Sequence, residues 1–114
     1  MGNVRSMLKS KNNTLITIYP HNTVYDALEM MVEKNIGAIL VTVDNRLVGI
    51  VSERDYARKV ILMGKSSKGT LISEIMREHP VTVTPENTLE DCMQLMTNKF
   101  VRHLAVIEND NLIG

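Results

Sequence analysis

Cysteine occurs once in this chain, phenylalanine once and tryptophan not at all. The single thiol, Cys92, excludes an internal disulfide, and its position among the apolar residues of a predicted helix marks it as buried rather than reactive. Net charge is absent too: thirteen basic side chains balance thirteen acidic ones. That leaves no overall field to gather nucleic acid or an anionic membrane. No apolar run approaches the roughly 20 residues that a bilayer crossing needs, and residues 1–13 are polar and basic, without the apolar stretch of an export signal. The expectation is a soluble, cytoplasmic protein with neither nucleic acid nor membrane as partner.

Chemistry-bearing patterns are equally scarce. No dinucleotide fingerprint, zinc spacing or nucleophile, histidine and acid set is present. Gly64-Lys65-Ser66 looks like the end of a phosphate loop, but that loop needs a glycine where this chain has Lys59, and it follows a strand, not a helix. The chain is therefore not expected to be an enzyme, to hold a metal or to require a cofactor.

What is present is an internal repeat. A shift of 65 residues lays 16–49 on 81–114 without a gap and matches Thr17/Thr82, Pro20/Pro85, Asn22/Asn87, Thr23/Thr88, Asp26/Asp91, Met31/Met96, Lys34/Lys99, Val41/Val106, Leu47/Leu112 and Gly49/Gly114. The other pairs include conservative exchanges such as Ile18/Val83, Ile36/Val101 and Ile39/Leu104. The chain divides into an N-terminal segment (1–13), a first repeat with its linker (14–70) and a second repeat (71–114).

The repeated unit reads as β-α-β-β-α, an α+β fold. Residues 16–18 alternate as a strand that Pro20 stops, and Thr23 with Asp26 caps a helix. Val24, Ala27, Leu28, Met31 and Val32 form its buried stripe, ending near Gly37. Residues 39–43 and 47–51 read as antiparallel strands joined by Asp44-Asn45-Arg46. A second helix starts at Ser52 with Tyr56, Ala57, Val60 and Ile61 inward, and stops around Gly64. After a polar linker (64–70) and a short helical turn (71–76), the second unit shows a helix with Leu89, Cys92, Met93, Met96 and Phe100 inward. A strand (101–107) and a turn (109–111) follow. Its last strand, its last helix and a second copy of the Ser52 corner are missing. The exposed edge this would leave reads as a piece of a longer chain.

The chain is organised around residues 47–55, an apolar strand running into a helix. Ser52 and Asp55 have capping-box spacing, so a strand end, helix amides and a partial dipole meet a fixed hydroxyl and a fixed carboxylate. Such a corner can take a sugar diol on the carboxylate and a phosphate on the donors.

The repeat, together with Gly49-Ile50-Val51-Ser52-Glu53-Arg54-Asp55, 37–41 and 101–106, resembles the cystathionine β-synthase (CBS) domain and its G-h-x-S/T-x-x-D pattern. The resemblance covers about residues 14–114. It implies two repeats related by a pseudo-twofold axis (a Bateman module) in a small stand-alone regulatory protein that binds an adenosine ligand in clefts between the repeats. AMP, ADP, ATP, NAD and S-adenosylmethionine are the candidate ligands. By that resemblance Asp55 takes the ribose and Ser52 bonds near the ribose or phosphate. Adenine lies near Val83 and Val101 with Ile50 beneath, and Arg102, His103 and Arg54 serve phosphate. A second cleft would use Ile18, Gly37 and Ala38, and its other wall falls in the missing segment. Gly37-Ala38 aligns with Arg102-His103, so the clefts are unequal. A homodimer signalling to a protein effector by conformational change is implied as well.

Blander readings stand beside these. Thr23/Asp26 and Thr88/Asp91 are equally good capping boxes with no ligand role. Arg102 and His103, consecutive on a predicted strand, face opposite ways. Arg54, Arg58, Lys59, Lys65 and Lys68 form a solvated face or help to hold a polyphosphate. Met30, Met31, Met93 and Met96 fill a core or interface. The competing function is a dimerisation module without ligand.

Overall fold

The computed structural model describes residues 2–10 and 15–114. Along the chain the elements are α1 (Val4–Ser10), β1 (Thr17–Ile18), α2 (Val24–Lys34), β2 (Ala38–Val43), β3 (Arg46–Ser52) and α3 (Glu53–Tyr56). A π-helical turn (Ala57–Ile61) follows, then α4 (Ile72–Ile75), β4 (Arg77–Glu78), β5 (Thr82–Val83), α5 (Leu89–Lys99), β6 (Ala105–Glu108) and β7 (Asn111–Leu112). They form two compact units, Ile16–His79 and the described residues up to Leu15 together with Pro80–Gly114.

The first unit holds a sheet in the order β1-β2-β3-β4 and the second a sheet in the order β5-β6-β7. β1 runs parallel to β2, as the helical crossover α2 requires, and β3 returns antiparallel. Asp44 and Asn45 both take positive φ in the hairpin loop, a conformation these two residue types tolerate well. The repeat is exact at the level of register. Thr17 and Ile18 pair with Leu40 and Val41, and Thr82 and Val83 pair with Ala105 and Val106, each displaced by 65. The Val43/Arg46 and Thr42/Leu47 pairs recur as Glu108/Asn111 and Ile107/Leu112. The start of the last strand of the second repeat, expected to be missing, is therefore present as β7.

In the Ile16–His79 unit Val24, Ala27 and Met31 of α2 join Ile18, Ile39, Val41 and Val51 of the sheet in one core with Val60, Ile72 and Ile75. Val32, expected on the buried stripe, is 83% exposed. It lies one residue further round the helix than Met31, beyond the part that is covered. The helix from Ser52 also departs from expectation. It changes to π geometry after one turn, so Val60 is buried while Ala57 and Ile61 are exposed, because the wider turn moves later residues off the α-helical stripe. The linker 64–70 is fixed at its end: the Thr70 carbonyl accepts from Val24 N–H at 2.8 Å and its hydroxyl donates to Ser66 O at 2.7 Å.

The other core gathers Val4, Val83 and Val106, with Leu8, Cys92, Leu95, Leu104 and Ile113 against them. Met93 and Phe100, predicted inward, are exposed: Phe100 is the left-handed C-cap beyond the helix, and Met93 lies off the half-buried face that carries Cys92, Leu95 and Met96. Residues 101–104 form no strand, so the strand expected there begins only at Ala105. Cys92 is half-buried, and burial, with Asp91 beside it, pushes its thiol up, the setting of an inert thiol.

The helix that precedes each repeat packs with the other one. Val4 and Arg5 of α1 donate backbone N–H to Asn87 O and Pro85 O at 3.0 and 2.9 Å. Ile72 and Ser73 of α4 donate to Asn22 O and Pro20 O at 2.8 and 3.0 Å, the same two carbonyls displaced by 65. Arg5 adds ion pairs to Glu86 and Glu108.

All three capping boxes form, at Thr23/Asp26, Ser52/Asp55 and Thr88/Asp91. The Thr23 and Thr88 amides, helped by Asn22 and Asn87, hold the Asp26 and Asp91 carboxyls below the ordinary carboxylate value. A carboxyl depressed in the native state binds fewer protons there than in the unfolded chain. Its stabilisation is full above the unfolded value of about 4 and is lost as pH falls through the folded value. Thermal melts between pH 6 and 2 should therefore show a falling midpoint below about pH 4. Asp26→Asn combined with Asp91→Asn should flatten that fall, and an acid limb identical to wild type would refute the assignment.

Candidate functional site at a strand-to-helix corner

Ser52 ends β3 and caps α3. The register sets Ala38 opposite Ser52 and Leu40 opposite Ile50, so these four share one sheet face, while Ile39, Val41 and Val51 enter the core on the other. β4 extends the first face, because Arg77 pairs with Ile50. This close approach needs Gly49. A Cβ there would lie 3.1 Å from Arg77 O and 2.7 Å from Met76 Sδ.

Asp55 Oδ2 accepts the Ser52 N–H at 2.8 Å and the Ser52 hydroxyl at 2.9 Å, and Ser52 Oγ accepts the Asp55 N–H at 3.3 Å. Asp55 is the one buried charged residue among the described residues. Two cations compensate it: Lys59 Nζ stands 3.5 Å from Oδ1 and Arg77 Nε 3.4 Å from Oδ2. Lys59 also donates to the Ile75 carbonyl at 2.9 Å, tying the π turn to the end of α4.

The corner differs from its sequence-based picture in where its positive potential comes from. The Glu53 amide already donates to Gly37 O at 3.1 Å and the Asp55 amide to Ser52. The α-helix is a single turn, so little dipole accumulates. Positive charge is supplied instead by side chains. Lys59 was legible as part of a basic face. Arg77 was missed, because a two-residue strand has no periodicity and only its pairing with Ile50 reveals where it lies.

Of the residues the sequence singled out, Ile50, Ser52 and Asp55 come together on this corner with Ala38, and Gly37 is bonded to it through Glu53. Arg54 is exposed. Ile18 is 3% exposed and belongs to the core. Val83, Val101, Arg102 and His103 belong to the other unit. There Val83 is core, Val101 donates its amide to Met96 O at 3.1 Å, and Arg102 and His103 are exposed. The latter two are not on a strand, so the alternation expected of them does not apply. No group of three or more His, Cys, Asp or Glu among the described residues could hold a metal. No helix among them is long and apolar enough to cross a membrane.

The exact repeat of register and the Ser-x-x-Asp corner define a paired α+β domain, and the chain belongs to the CBS-domain family, whose model matches residues 6–62 and 72–114. It is 40% identical over 116 residues to the CBS domain-containing protein CBSX3, mitochondrial, of Arabidopsis thaliana, spanning 97% of this chain and 56% of that protein. A candidate signal-transduction protein with CBS domains from Burkholderia ambifaria MC40-6 matches with a TM-score of 0.94 and 43% identity, over 98% of this chain and 85% of that one. A hexameric CBS-CP12 protein from bloom-forming cyanobacteria matches with a TM-score of 0.82 and 32% identity, over 89% and 60%.

Gly49→Ala should lower stability by about 1–3 kcal/mol, the usual cost of overpacking. Denaturant unfolding checks it, and a midpoint equal to wild type would mean that β4 does not press on β3 as described.

Proposed function

We propose that the chain is a regulatory, non-catalytic module that binds an adenine nucleotide, with the ribose diol on Asp55, and that binding alters how the module docks on a protein effector. The observation that carries this reading is the contrast among the three capping boxes. Asp26 and Asp91 cap their helices with only threonine and asparagine partners. Asp55, with the same local sequence logic, is buried and faced by Lys59 and Arg77. A cap needs no such cations, and desolvating them carries a cost. Together the three charged groups leave one surplus positive charge beside a carboxylate, which suits a ligand that brings both hydroxyl donors and a phosphate. The family resemblance adds Val83 and Val101 for adenine and Arg102 and His103 for phosphate. It gives Ile18, Gly37 and Ala38 the equivalent part in a second site.

The Asp55 side chain is 6% exposed, so a ribose must displace what covers it. Lys59 is the movable cover: its side chain is 43% exposed and long. Moving it off Oδ1 also loosens its bond to Ile75 O, so ligand entry is felt at α4. This is a route for a conformational signal.

A homodimer belongs to the same proposal. Val32, Met93 and Phe100 are apolar and 83%, 67% and 87% exposed, and isologous pairing is the common way for a small domain to cover such side chains. Sedimentation should give twice the 12.8 kDa of one chain, and a stable monomer at high concentration would contradict it. A cytoplasmic location is proposed on composition.

Thermal shift with AMP, ADP, ATP, NAD and S-adenosylmethionine tests the ligand. A binder at about 100 times its dissociation constant stabilises by roughly 2.7 kcal/mol. An unmoved midpoint with all five would favour the dimerisation module without ligand. Asp55→Ala should weaken binding by about 1.5–3 kcal/mol, whereas Asp26→Ala, which removes an equivalent cap, should leave the titration unchanged. Equal effects of the two would mean that Asp55 is a cap only.

A further inference from the structure

We infer that Arg77 is the residue that makes this site select phosphorylated nucleosides over free ones. The inference rests on the nucleotide reading above and goes beyond it by assigning the phosphate to a side chain in the same unit as the ribose-binding carboxylate. Arg77 Nε is buried and makes no hydrogen bond, although it stands 3.4 Å from Asp55 Oδ2. It is near enough to pair in charge but misaligned to donate. None of the hydrogen bonds among the described residues involves its guanidinium, yet the side chain is only 38% exposed. Arginine has five N–H donors in a rigid fork and no way to shed its charge. A fork held by one edge against a carboxylate, with its donors unused by the fold, is prearranged for a second anion.

The backbone fixes this geometry. Pairing with Ile50 places Arg77 on the same sheet face as Ser52, and the missing side chain at Gly49 lets β4 come that close. Asp55 thus has two tasks on two oxygens. Oδ2 is taken by Ser52 and faces the charge of Arg77, and Oδ1, which accepts no hydrogen bond among the described residues and stands 3.5 Å from Lys59 Nζ, is the oxygen a sugar hydroxyl can claim. Lysine in place of Arg77 would keep the charge but lose the fork.

Isothermal titration of the full chain with AMP and with adenosine tests this. Wild type should bind AMP at least about tenfold more tightly than adenosine, since bidentate charge-assisted bonds are lost with the phosphate. Arg77→Gln should bring the ratio close to one by weakening AMP far more than adenosine, Arg77→Lys should restore part of the preference, and a thermal melt of each variant establishes folding. Arg102→Ala is the competing arm. If it abolishes the preference and Arg77→Gln does not, phosphate selection lies with Arg102 and the inference is overturned, while the nucleotide reading stands. If wild type binds neither compound, the nucleotide reading fails and takes this inference with it.

Discussion

A buried carboxylate at the end of a strand sets the terms for the Ile16–His79 unit. Once Asp55 is out of water its charge must be met, and four groups meet it: the Ser52 amide and hydroxyl, Lys59 and Arg77. The three residues that carry them come from different structural decisions. Ser52 is there because β3 stops and a helix starts. Lys59 is there because the helix continues for one further turn. Arg77 is there because β4 turns back along β3 at Gly49. The corner is therefore a junction where sheet register, helix capping and the connection between repeats are fixed together, and a disturbance of one is carried to the others.

The same serine or threonine and aspartate device appears three times among the described residues, which separates what a motif does from what its surroundings do. At Thr23 and Thr88 the capping box starts a helix, and no ion pair among the described residues reaches its carboxylate. At Ser52 the box is sunk into the end of a sheet whose face carries Ile50 and Ala38, and the burial calls cations to it. A repeat supplies two copies of a scaffold, and the difference between them lies in the few positions where charge and burial diverge. The pairs Gly37/Arg102 and Ala38/His103 are such positions.

Much of the fold was legible because it is written in periodicity and in caps. The gapless shift of 65 residues became an exact shift in strand register, and the three threonine or serine and aspartate pairs became three capping boxes. Several misreadings share one cause: a pattern extended past the place where geometry changes. Val32 and Ile61 continue an apolar series in sequence, but the covered face ends before the first, and a π turn rotates the second outward. Phe100 closes a stripe on paper and caps a helix in fact. Within the site, Ser52 and Asp55 announced themselves by spacing. Arg77 did not, since only a long-range pairing brings it to the corner. The packing of α1 and α4 each with the other repeat was hidden likewise, for their sequences share no identities and only their bonds to equivalent carbonyls relate them.

In the proposed function Asp55 is a ligand-facing group that also caps a helix. A crystal structure of the full chain grown with AMP is the most direct test. The expected result is ribose hydroxyls within about 3.2 Å of Asp55 Oδ1, with Lys59 moved off that oxygen. AMP bound elsewhere, with the Asp55 carboxylate still closed over by Lys59 and Arg77, would contradict it and leave the corner a structural joint.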